Sequence, residues 1–139
     1  MYLARLIYTS HPSDNFKPED VENILTASRR NNLAKSVSGL LYFNQNYFLQ
    51  CLEGSRSSIN QIYHKILNDD RHGTPLILEY KEIVERDFPR WEMGYLPETA
   101  DTRLLYRRFS GADEFIPYHM SGESCHRLMI EMRKLVKAV

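Results

Sequence analysis

The sequence predicts an α+β domain: a five-stranded mixed sheet with two helices packed on one of its faces. Three observations carry this. Apolar residues alternate with period two in five separate runs. Two stretches of helical period fall between those runs, so the order is βαββαββ within about 97 residues. Beyond Pro97 the strand pattern gives way to short helical ones. The order is that of a split-βαβ, ferredoxin-like sheet.

Met1 to Ser10 reads as the first strand, with Leu6 and Tyr8 on one face and Leu3 and Ile7 on the other. Pro12 breaks the polar stretch His11–Lys17 into a loop. Pro18 sits where a first helical turn tolerates it, and Glu19 and Asp20 suit the positive end of the dipole. Helix one then runs to about Arg30. Its inner stripe is Val21, Ile24, Leu25 and Ser28, and continued spacing adds Asn31 and Asn32. Two asparagines there are either a C-cap or the polar end of a buried stripe.

Ser36–Asn44 is a second strand, turned by Gln45-Asn46 into a third that ends at Gly54. On that third strand Phe48, Gln50 and Leu52 share one face, and Tyr47, Leu49, Cys51 and Glu53 the other. Gln50 is thus a long amide in an apolar row. It either satisfies a loose backbone group, lies on a solvated face, or answers a polar ligand held against the sheet. Ser55 or Ser57 caps a second helix to about Asn68, with Ile59, Ile62 and Ile66 inward. Lys65 and Asp69, four residues apart, read as a solvated ion pair. Leu76–Val84 and Arg90–Tyr95 are the fourth and fifth strands, with Trp91, Met93 and Tyr95 on one face of the latter. Thr102–Phe109 and Glu123–Lys137 are helical, the second with Leu128, Met132, Leu135 and Val136 to one side. Because two helices leave the other sheet face open, this tail is expected to cover it or to form a partner surface.

Composition narrows the function classes. With 42% hydrophobic and 26% charged residues the chain is ordinary for one globular domain. Lys plus Arg and Asp plus Glu are 18 each, so no net positive charge favours nucleic acid. Two cysteines, Cys51 and Cys125, make no disulfide framework. The sequence contains no apolar run of membrane-span length and no signal-peptide core, which predicts a cytoplasmic protein without a membrane partner.

On the helix-covered side, Tyr8 and Gln50 are expected on adjacent central strands, and helix one brings Ser28, Asn31 and Asn32 toward the same end. Phenol, hydroxyl and amides supply uncharged hydrogen bonds, which suit a planar ligand rich in acceptors. Trp91 and Met93 are either core or walls for a flat ring. No Gly-rich phosphate loop, H-E-x-x-H or CxxC spacing occurs, the five histidines are scattered, and no acid–base pair sits on the convergent face. Neither a metal site nor an enzyme is expected.

Six segments in order, Arg5-Leu-Ile-Tyr8, Ser28-Arg-Arg-Asn31-Asn32, Ser38-Gly39-Leu40-Leu41, Phe48-Leu-Gln50-Cys-Leu-Glu-Gly54, Asp69-Asp-Arg71-His72 and Phe88-Pro-Arg-Trp91-Glu-Met93, resemble a BLUF domain of the short, single-domain type. The resemblance runs from about residue 1 to 96 and implies a blue-light sensor holding FAD, or FMN, between the two helices. It implies Tyr8 as electron and proton donor, and Gln50 as the amide between it and the flavin. It further implies Asn32 on the ring's carbonyl edge, Asn31 toward the ribityl–phosphate side, and Lys65, Asp69 and His72 as further cofactor contacts. Ser28, Trp91 and Met93 would tune the site. Lys65 stands where the family usually has arginine, keeping the charge without the bidentate fork.

The domain expectation is therefore a flavin-binding unit over 1–97 and a helical extension over 98–139 that acts as cap, oligomer or partner surface. The output expected is a light-dependent protein–protein contact, within a homo-oligomer of two or more copies or with a downstream signalling protein. Two other functions share the topology. An RRM-like RNA binder would need a basic, aromatic sheet face, and an acylphosphatase-like enzyme an arginine loop after the first strand.

Overall fold

A computed structural model describes residues 3–135 and the backbone of 137–138. Met1 and Tyr2 of the expected first strand, and Val136 of the expected last helical face, lie outside the described residues. The elements are β1 (Leu3–Pro12), α1 (Asp20–Ala34), β2 (Ser38–Phe43), β3 (Phe48–Ser55), α2 (Arg56–Leu67), β4 (His72–Ile83), β5 (Trp91–Tyr95), α3 (Ala100–Ser110), α4 (Gly122–Met132) and β6 (Lys137–Ala138). Strand order is β4-β1-β3-β2-β5-β6. β5 runs parallel to β2 and the other neighbours pair antiparallel, which makes the sheet mixed. The expected five strands are present, and the two-residue β6 extends the β5 edge. The last helix therefore stops at Met132, short of Lys137.

Alternation decides the layers. Ala4, Leu6 and Leu52 face α2 with Ile59 and Ile62, while Leu41, Phe48 and Met93 face α1 with Leu25. Ile7, Leu40, Leu49 and Cys51 point the other way, into the larger cluster with Tyr106, Leu128, Met129 and Met132 of α3 and α4. The tail thus covers the second sheet face, so that face is not an open partner surface. Close approach is possible because α4 begins on Gly122: a Cβ there would lie 2.4 Å from the Leu78 carbonyl oxygen. Gly39 serves the same end between β2 and β3, with φ +153° and an imagined Cβ 1.9 Å from the Cys51 oxygen.

Several other boundaries differ from the sequence reading. Helix α1 runs four residues past Arg30, so Asn31 and Asn32 are helical and do not cap it. Lys35 and Ser36 end the helix instead, with Ser36 at φ 56°, and the Asn32 carbonyl accepts from the Lys35 and Val37 amides. Strand β1 continues to Pro12, and β4 starts at His72 because His11 pairs Gly73 and Pro12 pairs His72. Pro75 is tolerated there because β4 is an edge strand. Ser55 is the N-cap of α2, its Oγ accepting from the Ser58 amide.

Candidate functional site

The β1–β3 ladder places Tyr8 directly across from Gln50. Both are 4% exposed, and Tyr8 Oη donates to Gln50 Oε1. Burial pushes the phenol well above the usual tyrosine pKa, with the nearby Tyr63 and Asp69 adding to the shift. Tyr8 is therefore a neutral, protonated donor throughout the physiological range. The Tyr63 ring of α2 packs against it, centroids 5.3 Å apart and tilted 60°.

Tyr8 and Gln50 form the floor of a cleft of about 170 Å³, open on one side, between α1 and α2. Helix α1 lines it with Ser28, Asn31 and Asn32, and α2 with Lys65. The segment after α2 contributes Asp69 and His72. Eight of the ten residues singled out from the sequence thus meet at one cavity. Trp91 and Met93 do not line it. Met93 is 4% exposed and packs behind the wall with Leu25, Leu41 and Phe48, and Trp91 bridges that cluster and the neighbouring one. Met93 belongs to the cluster that contains the lining residues Leu41 and Phe48, and Trp91 packs against that cluster.

The Lys65–Asp69 pair does not form. Helix α2 ends at Leu67, so the i,i+4 spacing no longer brings Asp69 alongside Lys65. Asp69 instead takes the Arg71 guanidinium in a fork, Nε to Oδ1 at 2.9 Å and Nη2 to Oδ2 at 2.6 Å, and also the Arg71 amide at 2.9 Å. These hydrogen bonds hold its carboxyl below the usual aspartate pKa against the opposing effect of burial. Among the described residues Lys65 has no ion-pair partner, which leaves its ammonium available at the cleft. His72 Nε2 lies 2.6 Å from the Ile66 carbonyl, so that nitrogen carries the proton. This bond ties the start of β4 to the end of α2.

The Asp69–Arg71 fork stabilises the fold above the ordinary aspartate pKa of about 4 and is lost as pH falls through the lowered value. Asp69→Asn is expected to remove about 0.5–1 kcal/mol at neutral pH, both side chains being partly exposed. It should also flatten the acid limb of the stability profile. Thermal unfolding between pH 3 and 7 checks this, and an unchanged acid limb refutes it.

The lining is completed by residues that the sequence reading did not assign to the site: Ser10, Ile24, Ala27, Leu41, Phe48, Ile62, Ile66 and Arg71. Parity with Tyr8 on β1 could have found Ser10, and the apolar stripes already contained the three isoleucines. Two polar atoms of the lining are fully buried without a partner, Asn32 Nδ2 and Ser10 Oγ. Apolar walls, a buried amide donor and a cation at the rim fit a flat heteroaromatic ring with acceptor oxygens on its edge. Among the described residues no group of His, Cys, Asp and Glu is arranged to hold a metal ion, and no helix is long and apolar enough to cross a membrane.

Comparison with known proteins agrees with this chemistry. A family model described as BLUF, sensors of blue-light using FAD, matches residues 3–94. The chain is 37% identical over 70 residues to the blue light- and temperature-regulated antirepressor BluF of Escherichia coli, a match covering 50% of this chain and 17% of that protein. It is 30% identical over 142 residues to the photoactivated adenylate cyclase subunit beta of Euglena longa, covering 91% of this chain and 16% of the relative. The chain thus spans less than a fifth of either relative. Among solved structures, BlsA in its photo-activated state superposes with a TM-score of 0.83 at 28% identity, covering 93% of both chains.

Proposed function

The chain belongs to the BLUF family of blue-light-sensing flavin domains, and from that premise we propose that its cleft holds FAD, with FMN as the alternative, and that Tyr8 and Gln50 are its photoactive pair. One observation carries the assignment: the buried Tyr8–Gln50 hydrogen bond on the floor of a cleft that also presents Asn32 Nδ2 without a partner. Asn32 and Asn31 bind the ring and ribityl edges, and Lys65 and His72 the polar rim. Asp69 acts by anchoring Arg71. Ser28 tunes the site from the α1 wall, and Trp91 and Met93 tune it from behind Leu41 and Phe48.

Bound flavin would supply a blue-absorbing ring able to take an electron from Tyr8 on excitation and to give it back. Tyr8 Oη passes its proton to Gln50 Oε1 along the bond already formed. When the electron and the proton have both returned to Tyr8, the Gln50 amide is left rotated or tautomerised, with its donor and acceptor roles exchanged. Burial of both side chains keeps water from competing for either atom. The re-sorted amide sits on β3, whose outer face packs against α3 and α4, so the change is read out as a protein–protein contact through the 98–139 extension. That contact is made within a homo-oligomer or with a downstream signalling protein, and residues 1–97 act as sensor rather than enzyme.

The other two readings fare worse. The sheet face an RRM-like binder would offer to bases is covered by α3 and α4. The loop after β1 is closed by Ser13 and Asn15 on Asp70 and contains no arginine.

An absorption spectrum before and after blue illumination tests the proposal. The purified protein is expected to be yellow, with a red shift that reverses in the dark; a colourless protein, or one whose spectrum does not move, overturns it. Asn32→Ala is expected to weaken FAD binding by about 1–3 kcal/mol, roughly 5- to 150-fold, since it removes a buried donor from the ligand's edge. Fluorescence titration of the stripped protein measures this, and wild-type affinity in the variant would remove Asn32 from the binding set.

A further inference from the structure

Ser10 lies on β1 two residues past Tyr8, on the same face, and its backbone pairs with Phe48 of β3. It is 0% exposed, the residue lines the cleft, and its hydroxyl is buried without a hydrogen-bond partner. A buried hydroxyl with no partner costs free energy, and alanine would fill the same position on the strand without that cost. The carbonyl of Phe48, across the ladder, already accepts from Thr9 Oγ1 at 2.8 Å. Among the described residues Ser10 Oγ therefore has no bonding partner in the fold, and Ser10 lines the same cavity as Asn32, whose Nδ2 is the other buried polar atom of the lining without a partner.

We propose that Ser10 is a ligand-binding residue, its hydroxyl donating to an acceptor atom of the flavin and marking a second polar contact on the sheet side of the cleft. The inference rests on the flavin-binding reading and extends it to a residue of β1 apart from the Tyr8–Gln50 pair. Serine has both a donor and acceptor lone pairs, and a hydroxyl on a rigid central strand is held in place at little entropic cost.

The test separates a ligand contact from a structural hydroxyl, because the two predict opposite effects on the protein without cofactor. Ser10→Ala in the full chain, stripped of flavin, is expected to unfold at the same urea concentration as wild type or a higher one. Titrated with FAD, it is expected to bind about three- to tenfold more weakly. An affinity equal to wild type overturns the assignment whatever the stripped protein does. A weaker affinity with a matching loss of stability in the stripped protein also overturns it, because the hydroxyl then serves the fold. If wild type itself fails to bind FAD in the same titration, the flavin reading falls first and takes this inference with it.

Discussion

Tyr8→Phe is expected to bind flavin, remain yellow, and show no light-induced red shift at all. The substitution keeps the ring that packs against Tyr63 and removes only Oη, so the walls of the cleft are unchanged. What it deletes is the donor to Gln50 Oε1 and the one proton in the cleft held by a buried phenol. Without that proton the amide has nothing to accept and no route to a new arrangement. The cost to the fold is modest, about 1–3 kcal/mol for leaving Gln50 Oε1 buried without its partner. A light-minus-dark difference spectrum decides it, and a variant that still shifts reversibly would remove Tyr8 from the photochemistry.

Glu53→Ala is expected to cost about 3–5 kcal/mol, out of a total near 5–15 for a domain of this kind. Glu53 is 0% exposed and is the hub of the turn between β4 and β5. It accepts the Phe88 amide at 2.7 Å, the Asp87 amide at 3.2 Å and Arg5 Nη1 at 3.4 Å. Removing it takes one of three carboxylates from an Arg5 guanidinium that is 4% exposed and leaves two backbone donors unpaired. Asp87 at 3.2 Å and Glu79 at 3.7 Å still face Arg5, which keeps the loss below that of a wholly unpaired charge. The same turn presents Phe88 and Asp87 to His126 and Arg133 at the C-terminal end of the fold, so the cover over the second sheet face should loosen as well. Urea unfolding with a fluorescence readout measures the loss. A midpoint within about 1 kcal/mol of wild type would mean the network contributes little. Glu53→Gln, which keeps an acceptor but not the charge, should fall between.

Much of the site was legible because strand and helix periods are local properties. Period two put Gln50 in an apolar row and Tyr8 beside Leu6 without reference to any partner strand. Helical spacing likewise carried the α1 stripe from Val21 to Asn32, although one reading of the asparagines ended the helix too early. The illegible parts all depend on where an element stops or what packs behind it. Asp69 chose Arg71 over Lys65 because α2 ends two residues before it. Trp91 and Met93 have the parity of the cleft but pack into the cluster around Leu41 and Phe48 and do not line it. Ser10 had the right parity and was missed because it sits at what reads as a strand end.

The amino-acid order alone determined the alternation of strands and helices, the face each side chain takes, and the neutral, hydrogen-bonding character of the groups gathered for a ligand. Only the tertiary structure decided that Tyr8 and Gln50 are bonded cross-strand neighbours, that Asn32 and Ser10, each with a buried unpartnered polar atom, line the same cleft, and that α3 and α4 close the far side of the sheet. Side-chain direction follows from backbone periodicity within a few residues, whereas register, screening and partner choice are set by contacts between segments tens of residues apart.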